Sequence, residues 1–367
     1  MVCTSLRCLC LTLIAGVCLV AQISEAATPA EIAASRQKAI GFLKTSQAED
    51  GSWTTSQTPG ITGLVLYGAL SAGAPADDPM IVKGLKYLES YRQPDGGIYS
   101  PKAHHGNYET AISLLAFSAA NTDGKYNDLI KKAEAYIRGV QWDQSEKIES
   151  SDVRWGGAGY GKTNDRPDLS NTAFFLEALQ TAGVKSDDQA VQNALVFLSR
   201  CQNLESEYNT TPAAAKINDG GFYYTPALGG QSQAGTTPEG GLRSYGSMTY
   251  AGLKSMIYAG LSKDDPRVKA ATEWIRKFYT VDENPGLGDQ GIYYYHQAFA
   301  KALNALGEEV LIDAQGKEHH WREDLANALI AKQQANGSWV NKNSRWMEGD
   351  PNLATAYALM ALKYATK

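Results

Sequence analysis

Glu109, Asp168 and His296 each stand near the start of a segment rich in Ala, Gly, Ser and Thr. Brought together, they would form a general acid and base acting across a cavity. His105 and Glu109 are spaced i, i+4, so on a helix they share one face and with His296 would offer three ligands to a metal. Satisfying helix N-termini is a plainer use for the same residues, and we expect neither a metal nor any other cofactor. N-capping accounts for Asp168, and for Asp350, without any chemistry. His105, Tyr108, Asn171, Arg243, Tyr245, Tyr295 and Trp346 occupy similar places and are the candidate ligand contacts. Asp165, Arg166, Ser170 and Tyr294 fall beside them. Tyr and Trp next to Arg and carboxylates hold sugars and polycyclic molecules, presenting an apolar face with a polar edge. The chain has 20 tyrosines, with runs such as Tyr293-Tyr294-Tyr295 and Phe222-Tyr223-Tyr224 that carry more hydroxyls than packing needs.

The elements that position these residues come from a repeat. Lys38-Ala39, Phe42-Leu43, Gln47 and Gly51-Ser52-Trp53 set a template. Lys83-Gly84, Tyr87-Leu88, Gln93 and Gly97-Ile98-Tyr99 follow it, with the Gln one place late. Lys132-Ala133, Tyr136-Ile137, Gln141 and Gly159-Tyr160 make a third copy. Ala194, Phe197-Leu198, Gln202 and Gly221-Phe222-Tyr223 make a fourth. In the fifth, Lys269-Ala270 and Trp274-Ile275 lead to Gly291-Ile292-Tyr293, with Tyr279 in the Gln place. Ala326, Leu329-Ile330, Gln334 and Gly337-Ser338-Trp339 complete six copies. After each comes a second helical segment, at residues 61–72, 108–119, 169–182, 247–259, 295–306 and 353–362. The first helix of each pair is amphipathic and the second apolar nearly all round, as expected of an outer and a buried inner helix. Small residues let the inner helices approach one axis. The sequence therefore predicts an all-α fold, an α/α toroid (α6/α6 barrel) of six helical hairpins. The inner-helix N-termini would meet at one mouth, where their positive dipole ends converge.

Residues 1–26 read as a signal peptide: Arg7, the apolar run Leu9 to Val20, then Ser24-Glu25-Ala26 with small residues flanking the glutamate. That run is shorter than the roughly 20 residues a spanning helix needs, so no transmembrane segment is expected. Residues 27–367 would be one domain, periplasmic or secreted. Of 5 cysteines only Cys201 lies outside the leader, which leaves no intrachain disulfide. A net charge of −5 without a basic run argues against nucleic acid.

The repeat resembles the QW motif of squalene and oxidosqualene cyclases, over residues 37–362. The chain is similar in size to protein-prenyltransferase β subunits, which are one barrel of six hairpins. The resemblance implies a substrate held in the lumen, and in the cyclases a proton delivered to an alkene by the middle Asp of a D-x-D-D-T-A segment. The corresponding segment is Asp168-Leu169-Ser170-Asn171-Thr172-Ala173, where Ser170 and Asn171 replace the paired carboxylates. The prenyltransferase zinc site has no counterpart either, since Cys201 lies in an outer-helix packing position. We therefore expect a small-molecule or glycan ligand in the central cavity, without the usual cyclase acid pair. An isoprenoid-binding or isomerising protein predicts a lumen lined by Phe, Trp, Leu and Met. A polysaccharide lyase or hydrolase predicts a polar open cleft, and a binding scaffold predicts a mouth shaped for a peptide or protein.

Overall fold

The structure is a computed structural model that describes residues 26–161 and 166–366. Residues 1–25 of the expected leader, and Asp165 of the expected rim, lie outside the described residues. Six hairpins follow one another: α1 (Pro29–Ser46) with α2 (Gly60–Ser71), α3 (Pro79–Glu89) with α4 (Gly106–Ala120), and α5 (Asn127–Arg138) with α6 (Leu169–Thr181). Then come α7 (Gln189–Arg200), a short α8 (Ala214–Ile217), α9 (Gly246–Tyr258), α10 (Pro266–Lys277) with α11 (Ile292–Leu306), and α12 (Trp321–Lys332) with α13 (Pro351–Leu362). A two-residue antiparallel hairpin, β1 (Leu311–Ile312) and β2 (Glu318–His319), bridges α11 and α12.

The second helix of each hairpin belongs to the inner ring. In order around it, α2, α4, α6, α9, α11 and α13 each pack on the next, and α13 packs back on α2. Composition explains the two rings. In α5 the buried residues are Leu129, Ala133, Tyr136 and Ile137, a single stripe, whereas α13 is buried from Asn352 through Leu362. Small residues set the inner spacing: a Cβ on Gly68 would lie 2.7 Å from the Ala356 carbonyl oxygen across the closing seam. Aspartate caps restart the outer helices, with Asp78, Asp188 and Asp265 accepting backbone N–H bonds at the heads of α3, α7 and α10.

The motif residues are joints between repeats. Gln47 Nε2 donates to the carbonyls of Gly51 (3.1 Å) and Met80 (3.0 Å), tying its own turn to the next outer helix. Gln141 does the same with Gly156 and Ala190, and Gln202 with Gly220 and Arg267. In the sixth repeat the joint is Gln333, one residue before the expected Gln334, and it reaches Gly337 and Ser35 of α1. A threonine in five inner helices receives the turn: Thr62, Thr110, Thr172, Thr249 and Thr355 accept from Trp53, Ile98, Ala158, Phe222 and Trp339. The fifth repeat departs from the template. Gly291 is the N-cap of α11, and Ile292 and Tyr293 already lie within the helix.

At the end of the barrel opposite the inner-helix N-termini, four side chains from four inner helices meet. Glu177 of α6 accepts from Lys254 Nζ of α9 and Lys301 Nζ of α11, both at 2.6 Å, and from the Tyr67 hydroxyl of α2 at 3.0 Å. All four are buried. Burial would raise the Glu177 pKa, but the two ammonium groups hold it well below the usual carboxylate range. Burial also lowers Lys301, to about 8.

Candidate functional site

Residues of the first two turns of the inner helices, with the loops that lead into them, enclose a cavity of about 310 Å³. Its apolar floor is Ile61 and Leu64 of α2, Phe174 of α6, Met248 of α9 and Leu353 of α13. Its wall is a belt of tyrosines: Tyr108 on α4, Tyr245 capping α9, Tyr294 on α11, Tyr357 on α13, and Tyr160 and Tyr224 from loops. Tyr294 Oη lies 2.9 Å from Ser170 Oγ, while Tyr108 lies near Tyr357, and Tyr224 near Asp168 and Tyr160. The cavity lining as a whole is more apolar than polar. Trp346 and Met347, about half exposed, flank the mouth on a loop that puts both in the left-handed region, at φ 53° and 64°. Arg345 beside them reaches across to Gln233 and Gln290.

Two carboxyl groups face this lumen. Glu109, in the first turn of α4, is 1% exposed, and its Oε2 accepts the Ser100 N–H at 2.8 Å. Burial pushes its pKa up to about 7, against the opposing pull of that N–H. Glu348, on the loop before α13, accepts the Tyr294 N–H (2.7 Å) and the Asn341 amide (2.9 Å), and burial raises it as well. Among the described residues, no lysine or arginine lines the cavity. His105 sits at its edge with its ring 5.0 Å from that of Tyr160, and burial lowers its pKa.

The expected site residues divide. Glu109, His105, Tyr108, Tyr245 and Trp346 come together around the cavity. Asp168 and Asn171 stand one layer behind it. Asp168 caps α6 through Oδ1 to Asn171 N (2.9 Å) and binds the Asn171 side chain through Oδ2 (2.8 Å). Arg243 points to solvent and donates to the Thr236 carbonyl. Tyr295 and His296 face outward from α11, between the rings. Tyr295 Oη donates to Thr280 O at 2.6 Å and His296 Nε2 lies 2.8 Å from Val281 O. Burial lowers the His296 pKa to about 4, so the imidazole is neutral, and the structure does not bring it to Glu109. The acid and base set of Glu109, Asp168 and His296 is therefore not assembled around one space. The group that does share the lumen with Glu109 is Glu348, which no motif singled out.

The Glu109 shift has a measurable sign. Between its ordinary value of 4.5 and about 7, the folded chain keeps a proton that the unfolded chain has released. Stability therefore falls as pH rises through that window, and the full penalty stands above it. Glu109→Gln keeps an acceptor for Ser100 and has nothing to ionise. Its melting temperature should match the parent near pH 4.5 and exceed it at pH 8. A gap between the two proteins that does not change with pH would contradict the assignment.

Residues 54–225, which run from the first turn to the loop beyond α8, match the squalene-hopene cyclase C-terminal domain. No curated protein matches the sequence significantly. Among solved structures, a type II terpene cyclase from Scytonema superposes with a TM-score of 0.56 at 13% identity, over 92% of this chain and 98% of that one. Candida albicans protein geranylgeranyltransferase-I, complexed with GGPP, gives 0.52 at 14%, over 90% and 92%. A D-mannose isomerase gives 0.55 at 13%, over 92% and 97%. At these identities the superpositions establish a shared α/α toroid, and a shared fold does not by itself carry an activity.

Proposed function

We propose that this squalene-cyclase-like and prenyltransferase-like toroid is an exported protein whose cavity holds a small apolar molecule of isoprenoid type. The carrying observation is the lumen itself: an aliphatic and aromatic floor under a belt of tyrosine rings, with a lining more apolar than polar. A volume of about 310 Å³ is at the small end of the range for sites that bury a small organic ligand. Elsewhere the fold accommodates isoprenoid chains, since a Scytonema cyclase structure holds geranylgeranyl dihydroxybenzoate.

The chemistry such a ligand meets here differs from alkene protonation. Ser170, which the motif comparison puts in the place of the proton-donating aspartate, lines the cavity with its hydroxyl against Tyr294. A serine hydroxyl is far too weak an acid to form a carbocation. Glu109, whose pKa burial raises to about 7, is a weaker acid than an ordinary carboxyl and suits proton exchange with an oxygen function on a ligand. The presence of Glu109 and Glu348 in one lumen favours a second reading, a glycan hydrolase using one as acid and the other as base. The carbon-rich wall weighs against it.

Protein secreted by its own host should, on solvent extraction and mass spectrometry, yield a bound isoprenoid. Incubated with squalene it should give no cyclised product, and Ser170→Asp with Asn171→Asp should be weakly active at best, because a carbocation survives only in a dry, enclosed lumen. Robust squalene cyclisation by the unaltered protein, or recovery of an oligosaccharide instead of an isoprenoid, would overturn the proposal.

A further inference from the structure

Six inner-helix N-termini surround the cavity, and such an array would ordinarily favour an anion. At five of them first-turn amides are already engaged, while α2 begins after Pro59 without a side-chain cap. Asn107 N and Tyr108 N donate to Tyr160 O, Tyr294 N to Glu348, Ser247 N to Asn284, Asn171 N to Asp168 and Leu353 N to Asp350. The basic groups nearest the mouth, Arg166 and Arg345, are held on its exposed rim by glutamine side chains. What remains facing the lumen is two buried carboxyl groups among aromatic rings, with His105 at the edge. Aromatic faces attract cations, most strongly where water is excluded, and a desolvated carboxyl group gains from a counter-charge.

We propose that the cavity selects ligands in which an apolar body carries a protonated amine, the ammonium lying against the tyrosine belt with Glu109 and Glu348 as its counter-charges. The inference rests on the apolar-ligand reading above and adds the sign of the ligand's charge. Burial holds both carboxyl groups toward their neutral form in the empty cavity, so a cation should ionise them and drive protons into the buffer.

Isothermal titration at pH 7 of the full mature chain with geranylamine, geraniol and geranic acid separates the possibilities. The amine should bind at least about ten-fold tighter than the alcohol, equivalent to about 1.4 kcal/mol, and the acid should not bind measurably. The amine's heat should depend on the ionisation enthalpy of the buffer, reporting proton release, while the alcohol's should not. In Glu109→Gln/Glu348→Gln the amine-over-alcohol ratio should collapse toward one. If geraniol binds and geranylamine binds no better, or releases no protons, the charge inference fails while the apolar-ligand reading stands. If none of the three binds, both fail.

Discussion

Glu177→Gln should cost about 3–5 kcal/mol of folding stability at neutral pH, because it leaves Lys254 and Lys301 buried without a counter-charge. Both ammonium groups reach Glu177 at 2.6 Å, and both lysines are almost inaccessible to water. The deficit should shrink as pH rises. A lysine whose pKa is depressed in the folded state withholds stability below that value and recovers it as pH climbs toward the unfolded value. Lys301 is already lowered to about 8 with Glu177 present, and losing the carboxylate lowers it further. Chemical denaturation at pH 7 and pH 9.5 should therefore show a smaller gap from the parent at the higher pH. Replacing all three charged residues by Met or Leu should recover most of the loss, since well-packed apolar side chains commonly substitute for a buried ionic cluster. A Glu177→Gln variant within about 1 kcal/mol of the parent would mean that water reaches these lysines.

Gly156→Ala should be equally severe, for a reason that involves no charge. Gly156 has φ +81°, and a Cβ there would lie 1.7 Å from the Asn193 carbonyl oxygen of α7. Its own carbonyl takes the Gln141 amide that also holds Ala190, so the turn cannot retreat without releasing the joint between the third and fourth repeats. We expect a loss of about 4 kcal/mol or more, in the range reserved for main-chain collisions and core disruption. Gly183 is the control, with φ +89° and open space for 4 Å around the point where a Cβ would stand. Gly183→Ala should cost only the left-handed strain, about 1–2 kcal/mol. Equal melting temperatures for the two variants would show that the collision is relieved by a small movement of the loop.

The inner helices were legible because burial on all sides leaves a compositional mark. The segments expected at 169–182 and 353–362 are α6 and α13 to within two residues at each end. The joints were less so. Gln333 and Gln334 are both glutamine, and only the four-residue distance to Gly337, shared by Gln47 and Gly51, distinguishes the one that bridges. The site suffered from helix register. Tyr293 to His296 turn about 100° per residue, and α11 begins at Ile292, earlier than the expected 295, so Tyr294 rather than Tyr295 or His296 meets the lumen. Glu348 left no periodic signal because it sits in irregular chain. Its burial follows from the partners Tyr294 and Asn341, which are 54 and 7 residues away. The nearest local clue was an acidic residue following Trp346-Met347 just ahead of the Asp350-Pro351 helix start.

The joint from Gln333 to Ser35 makes the last repeat a neighbour of the first in the same way that each repeat is a neighbour of the next. Linear arrays of hairpins have exposed end units, which loosen first and give such proteins graded unfolding. A ring with its first and last units joined has no such end, and opening any one seam exposes the apolar flanks of two inner helices at once. Loss of structure should consequently be abrupt rather than progressive. The order in which the hairpins occur along the chain is, for the same reason, a matter of genetic history: re-joining the chain and cutting it between other repeats would leave every inter-repeat contact in place.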